Sequence, residues 1–170
     1  MKIIIITIIT ITLLAFFSVS AIAQTENTDT GAKILAAMTI TESADMHFGT
    51  MTVPSTMAEV DLAVGGTVSI ASGTLTLLSQ TPTSHAAAYD ITGDANATYA
   101  ITLPANGNVS ITNGFFPMPV TDFICSYGGL TSTLDGSGDD NFTVGATLKL
   151  SMSQSAGTYT GTFDVSVAYN

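Results

Sequence analysis

One cysteine, no tryptophan and no arginine occur among the 170 residues, and each absence closes a class of function. A single cysteine cannot form an internal disulfide. Cys125 sits in the apolar run Phe123-Ile124-Cys125-Ser126-Tyr127 and reads as a small buried hydrophobe. A nucleophilic thiolate needs a base and a positive environment. The only two histidines, His47 and His85, lie in no motif that would supply them. The basic residues are Lys2, Lys33 and Lys149, and all thirteen carboxylates lie beyond residue 23. From residue 24 onward two lysines thus face thirteen acids, a formal charge of −11. Such a chain repels phosphate backbones and anionic lipid surfaces, which excludes nucleic acid and membrane-surface partners. No apolar run of the roughly 18 residues needed for a membrane helix follows residue 23.

The motifs of common catalytic sites are missing too. There is no Gly-x-Ser-x-Gly, no His-Glu-x-x-His and no phosphate-binding loop. Zinc needs three or four ligands, and two scattered histidines and one cysteine are a poor start. Paired acids such as Asp139-Asp140 suit glycoside hydrolysis in principle. Tryptophan, a common sugar platform, is absent, and the other aromatics fall on alternating strands where they serve the core. The expectation is a protein that is not an enzyme and binds no cofactor or metal. The loop Asp135-Gly136-Ser137-Gly138-Asp139-Asp140 places oxygens at alternate positions as calcium loops do, but no EF-hand glutamate follows, and it reads as a solvated turn.

What is present begins with an export signal. Lys2 precedes an apolar stretch, 3–17, and the small residues Ala21 and Ala23 suit signal peptidase, so cleavage is expected after Ala23. The apolar core is short for a membrane span, and no basic stop-transfer cluster follows it. No cysteine lies just past the cut to take a lipid anchor. The chain divides into a signal peptide, 1–23, a flexible polar leader, 24–33, and one domain, 34–170. The expected route is through the inner membrane to the periplasm, then to the cell surface or outside.

The domain has one texture throughout: short Thr-, Val- and Ile-rich runs punctuated by Gly, Asn and Pro. Strands are predicted at 34–41, 46–53, 60–64, 67–71, 74–79, 87–92, 98–103, 109–112, 121–127, 142–151 and 159–169. Spacing near ten residues, with turn residues between, predicts an all-β fold, an immunoglobulin-like antiparallel β-sandwich. No helix with 3.6-residue periodicity is predicted. The prolines of Phe115-Phe116-Pro117-Met118-Pro119 cannot donate to a ladder, so that stretch reads as a connection. His47, on the face opposite Met46 and Phe48, reads as an exposed strand residue, and His85 as a loop residue.

The strongest pattern closes the chain. In 159–169 the positions Tyr159, Phe163, Val165, Val167 and Tyr169 are large and apolar or aromatic, and the positions between are mostly polar. A period of two sends one set to the core. Burying five such side chains contributes up to about 7–15 kcal/mol before conformational entropy is subtracted.

Four stretches in order carry a resemblance to a family: Ile40-Thr41 with Asp45-Met46-His47-Phe48-Gly49-Thr50, then Ala97-Thr98-Tyr99-Ala100-Ile101-Thr102-Leu103-Pro104, then Phe142-Thr143-Val144-Gly145-Ala146-Thr147-Leu148, then the close from Gly157 to Asn170. The chain resembles the DUF4402 class of secreted domains. That class is in turn similar to the spore-coat-U-like pilins of archaic chaperone–usher fibres. Such pilins often carry a glycine fourteen residues from the end and a penultimate aromatic, positions held here by Gly157 and Tyr169. The resemblance implies a fimbrial or pilin-like structural subunit of a surface fibre or coat. It also implies a periplasmic chaperone and an outer-membrane usher as partners, with a C-terminal strand (Gly157, Tyr159, Phe163, Val165, Val167, Tyr169) used in assembly. Many such pilins carry a disulfide, which this chain cannot form.

In donor-strand fibres one subunit's N-terminal segment completes the sandwich of the next. Ile34, Ala36, Met38 and Ile40 alternate as a donor requires. They equally suit the first strand of a self-complete sandwich, and alternation alone fits both. The competing function is a monomeric secreted binding module, an adhesin or glycan binder, that uses loops at one end of the sandwich.

Overall fold

The computed structural model describes residues 24–170, so the expected signal peptide lies outside the described residues. Residues 24–33 are exposed and form no helix or strand. Ile34–Asn170 is one compact unit. It is all-β: β1 (Thr39–Ala44), β2 (His47–Phe48), β3 (Thr50–Met51), β4 (Ala58–Leu62), β5 (Val68–Ser72), β6 (Leu77–Leu78), β7 (Ser84–His85), β8 (Ala87–Thr92), β9 (Thr98–Thr102), β10 (Val109–Thr112), β11 (Pro117–Cys125), β12 (Thr131–Thr133), β13 (Asp139–Leu150) and β14 (Ser166–Tyr169). All pairings are antiparallel.

Seven strands form the larger sheet, with the path β1-β8-β13-β11-β10 and with β4 and β5 joined to it through β13. The second sheet is β12-β9-β14. The two face each other across a core in which Tyr99 and Ile101 of β9 pack with Tyr89, Ile91, Phe142 and Val144 of β8 and β13. A second cluster gathers Val60 and Leu62 of β4, Met118 and Val120 of β11, and Leu148 of β13. It is capped in part by Met51 and Leu77, which face each other where β3 pairs with β6, and by Leu75 just before β6.

The strand β13 organises both clusters. Its first half pairs with β8, through Asp139 to Val144, and its second half with β4, through Ala146 to Leu150. The change of partner falls at Gly145, where a Cβ would run into the Leu62 carbonyl oxygen and the backbone of Ala63. Glycine is required there by backbone approach. Buried positions alternate along β4, with Ala58, Val60 and Leu62 inward and Glu59 and Asp61 outward, as a sheet with one wet face demands. On the outer face Lys149 pairs with Glu59 at 3.4 Å, and Thr147 donates to Asp61 at 2.6 Å.

Several boundaries depart from the sequence reading. The first strand begins at Thr39, not Ile34. The stretch predicted at 46–53 breaks into β2 and β3 at Gly49, whose φ of +78° favours glycine. The Phe115–Pro119 stretch is not wholly a connection: Pro117 opens β11 and pairs with Thr112, and Pro119 with Ser110. Both prolines precede Val120, where pairing with β13 begins. They therefore lie on an edge stretch, where a missing N–H is tolerated. Cys125 ends β11 and is half-buried, less enclosed than its apolar surroundings suggest.

Gly145→Ala is expected to destabilise the domain by about 1–3 kcal/mol or more, because the obstacle is backbone that cannot rotate away. Urea unfolding followed by tyrosine fluorescence measures this. A variant as stable as the parent would show that β13 can change partners without a glycine.

Candidate functional site

The C-terminal stretch keeps its period of two but not a continuous ladder. Only Ser166–Tyr169 is a strand, paired with β9 from Ser166↔Thr102 to Tyr169↔Tyr99. Upstream, Thr160 bridges Thr112 at the end of β10. Residues 161–165 join no strand. β14 ends its sheet, so its far edge pairs with no strand among the described residues.

The side chains alternate as expected over the whole stretch. Tyr159, Phe163, Val165, Val167 and Tyr169 are inward and the residues between them exposed. Phe163 meets Phe123 with ring centroids 5.1 Å apart and packs against both core clusters. Yet all five inward residues are only half-buried, whereas Val60, Leu62 and Val144 in the larger sheet are at 0–1% exposure. The core is sealed along β4, β8 and β13 and open along the last strand.

Polar contacts fix both ends of this stretch. At one end the Tyr159 hydroxyl donates to the Ser155 carbonyl at 2.7 Å and accepts from Gln154 Nε2 at 3.1 Å and Asn113 Nδ2 at 3.3 Å. Gly157 lies in the exposed turn just before it. At the other end the Tyr169 hydroxyl accepts from the Asp94 backbone N–H at 2.6 Å and donates to the Ala36 carbonyl at 2.9 Å.

That last bond brings the other group of sequence-predicted residues to the same place. Ile40 lies in β1, paired with Ile91 of its own sheet. Met38 is half-buried and packs against the domain's own core. Ala36 is exposed, with its carbonyl on Tyr169, and Ile34 is 91% exposed. Two of the four residues thus belong to the domain's own sandwich and two stand outside it.

Two further constellations were not legible as such in the sequence. Asp140, read as part of a turn, is the second residue of β13 and ties the two sheets together. It accepts from the hydroxyls of Tyr99 (2.9 Å) and Ser132 (2.7 Å) of the smaller sheet, from the Tyr127 hydroxyl, and from the Asn141 N–H. Burial alone would raise its pKa; the hydroxyls of Tyr127 and Ser132, the Asn141 N–H and the Tyr99 hydroxyl outweigh this and hold the carboxyl below the usual range. Tyr99 is pushed up by burial first and then by its bond to Asp140. The preceding loop is an Asx turn in which Asp135 Oδ1 accepts from the N–H groups of Ser137 and Asp139. Asp90, Asp135, Asp139 and Asp140 line one depression. Among the described residues no group of three or more His, Cys, Asp or Glu is placed to hold a metal.

The second constellation is a histidine pair. His47 and His85 lie opposite each other where β2 pairs with β7, with ring centroids 5.9 Å apart. His47 Nδ1 accepts the Gly49 N–H at 2.8 Å, and the His85 ring lies 3.6 Å from the Asp45 carboxylate. Burial, then the neighbouring His85, holds the His47 pKa below its ordinary value, against a smaller opposing pull from Asp45. No local motif announces this pair, because its members lie 38 positions apart and only the strand register joins them.

Residues 38–169 match the family described as Domain of unknown function (DUF4402). The chain belongs to the DUF4402 family. No curated protein and no solved structure matches it. The matched span of this DUF4402 domain begins at Met38, so it takes in β1 and the whole open strand but leaves out Ile34 and Ala36.

His47 gives the DUF4402 domain a pH dependence of definite sign. A histidine with a lowered pKa in the folded state leaves the unfolded chain binding more protons below about pH 6.5, so stability falls as pH drops through that value. Protonation also removes the acceptor that Gly49 uses. Melting temperature is expected to decline between pH 7.5 and 5, and His47→Gln to flatten that decline. An unchanged profile in the variant would assign the pH dependence elsewhere.

Proposed function

We propose that this chain is a non-enzymatic structural subunit of a surface fibre or coat, assembled by completion of the open C-terminal strand with an extended segment from another copy. The observation that carries this reading is the half-burial of Phe163, Val165 and Val167 beside a backbone stretch, 161–165, that joins no strand. An extended apolar segment laid along it would bury what the domain leaves half-wet and supply the missing ladder. The chain carries a segment of that kind: 34–37 is Ile-Leu-Ala-Ala, uncharged and outside any strand, with Ile34 almost fully exposed. Export through the inner membrane and delivery to the surface belong to the same reading, as do a periplasmic chaperone and an outer-membrane usher that shield the strand in transit.

The segment available for exchange is shorter than the alternation from Ile34 to Ile40 suggests. Ile40 is already laddered to β8, so Ile34 and Ala36 are the residues free to enter a neighbour without melting β1. The second reading is a self-complete secreted monomer that acts as an adhesin or glycan-binding module. What favours it is this same engagement of Ile40, together with the Ala36–Tyr169 bond, which brings the chain's own segment to the foot of its own open strand.

The two readings differ on a gel. Material sheared from expressing cells and run in SDS without boiling is expected to give a ladder that collapses to one band on boiling. Ile34→Asp and Val165→Asp are each expected to abolish the ladder. A monomer band alone in both lanes would contradict the fibre reading and favour the monomeric module.

A further inference from the structure

The chain holds seven methionines, and the fold treats them unequally. Met118 on β11 is buried, at 5% exposure, in the cluster with Val60 and Leu148. Met38, Met46 and Met51 are half-buried and pack against the core clusters. Met57 and Met152 stand apart from these, at 77% and 63% exposure. Met57 directly precedes Ala58, Met152 follows closely on Leu150, and Ala58 pairs with Leu150 across the β4–β13 ladder. The Ser153 N–H also donates to the Pro54 carbonyl at 3.1 Å. The two thioethers therefore leave the fold at one end of the larger sheet.

In both cases the backbone is held while the side chain is not. Before Met57 the Ser55 N–H donates to the Thr74 carbonyl at 3.1 Å, and the Thr74 N–H donates to the Thr56 hydroxyl at 3.1 Å. Gly73 lies so close that a Cβ there would run into the Met57 carbonyl oxygen. Around Met152 the Gln154 N–H donates to the Ser151 carbonyl at 3.1 Å, and the buried Gln154 side chain accepts the Ser151 N–H at 3.3 Å. Chemistry at either sulfur thus alters surface and not core. That surface is apolar, since Val53, Phe115 and Phe116 are exposed at the same end. Gln154 and Asn113 both donate to the Tyr159 hydroxyl, and Asn113 Oδ1 accepts from the N–H groups of Phe115 and Phe116, which joins their stretch to the other two. The stretches 50–58, 112–118 and 150–163 contain no Asp, Glu, Lys or Arg.

We propose that Met57 and Met152 are a pair of oxidation sites, carried to the sulfoxide by hydrogen peroxide, and that their conversion turns this end of the domain from apolar to polar. The step needs no catalytic base. A sulfur lone pair attacks one peroxide oxygen, the O–O bond breaks, and the departing hydroxide takes the proton of the new S–OH group and leaves as water. The thioether is oxidised and the peroxide reduced by the same electron pair. The formal charge of −11 beyond residue 23 repels anionic oxidants, but hydrogen peroxide is uncharged and reaches the sulfurs freely. The product carries a strong S–O dipole in place of a soft apolar sulfur. Large exposed apolar surface is uncommon on a domain that otherwise solvates itself with Thr, Ser and carboxylates. Because no charged side chain lies in these three stretches, the two sulfurs are the groups there whose polarity an oxidant can change. The same oxidant leaves the core as it was, because Met118 is shielded by the strands around it.

The test exposes the folded domain to dilute hydrogen peroxide and follows each methionine by peptide mass spectrometry. Met57 and Met152 are expected to convert about tenfold faster than Met118, with the circular dichroism spectrum unchanged. Binding of an uncharged apolar dye, Nile red, is expected to fall about twofold as the two sulfurs convert. A double variant, Met57→Leu with Met152→Leu, keeps the apolar surface and removes both sulfurs, so its dye binding is expected to survive the same treatment. Conversion of Met118 as fast as the exposed pair overturns the assignment of the sites. Undiminished dye binding after both sulfurs are oxidised overturns the change in surface character, as does an equal loss in the double variant.

Discussion

The larger sheet holds together because one strand changes partners without ending. β13 lends its first half to β8 and its second to β4, and β11 runs along its other side. Both core clusters hang from it, with Phe142 and Val144 in one and Ala146 and Leu148 in the other. The device depends on Gly145, since only a residue without a Cβ lets the Leu62 carbonyl approach. Asp140 then extends the reach of β13 to the opposite layer. Its carboxylate takes hydroxyls from β9 and β12, so one strand organises three neighbours by ladder and two more by side chain.

Against this well-sealed half, the last strand is under-supported. Its inward residues have the size and spacing of core residues, but the backbone is laddered at only one bridge and four strand positions. By contrast, the apolar alternating run of β8 has partners on both sides, β1 and β13. A single-edged strand of this composition is a template for further pairing, and most domains blunt such edges with charge or proline. Here 159–169 holds one charged residue, Asp164, and no proline. The fibre reading takes this edge as used rather than blunted.

The period-two texture made the all-β class, the antiparallel pairing and most strands legible from composition and turn residues. The alternation over 159–169 was legible residue by residue, because burial parity needs no knowledge of partners. Its ladder was not: whether an extended run pairs depends on what topology brings beside it, and 161–165 joins no strand. The start of β1 at Thr39 was hidden for the same reason, since Ile34 to Ile40 alternate whether or not β8 reaches them. Pro117 and Pro119 misled because their cost depends on lying at an edge, a tertiary fact. The histidine pair and the Asp140 hub join residues 38 and 41 positions apart through register, which no local pattern encodes. Ile34 and Ala36 remain the part of the candidate assembly segment that the domain's own core leaves outside.

Hydrogen exchange read residue by residue across 161–165 tests the central claim most directly, with the isolated subunit and the sheared assembly compared under the same buffer. The account predicts fast exchange in the subunit, where these amides join no ladder, and slowing by about a hundredfold or more in the assembly, with β13 protected in both. Equal protection of 161–165 in the two samples would contradict it, because the last strand would then be complete without a second copy.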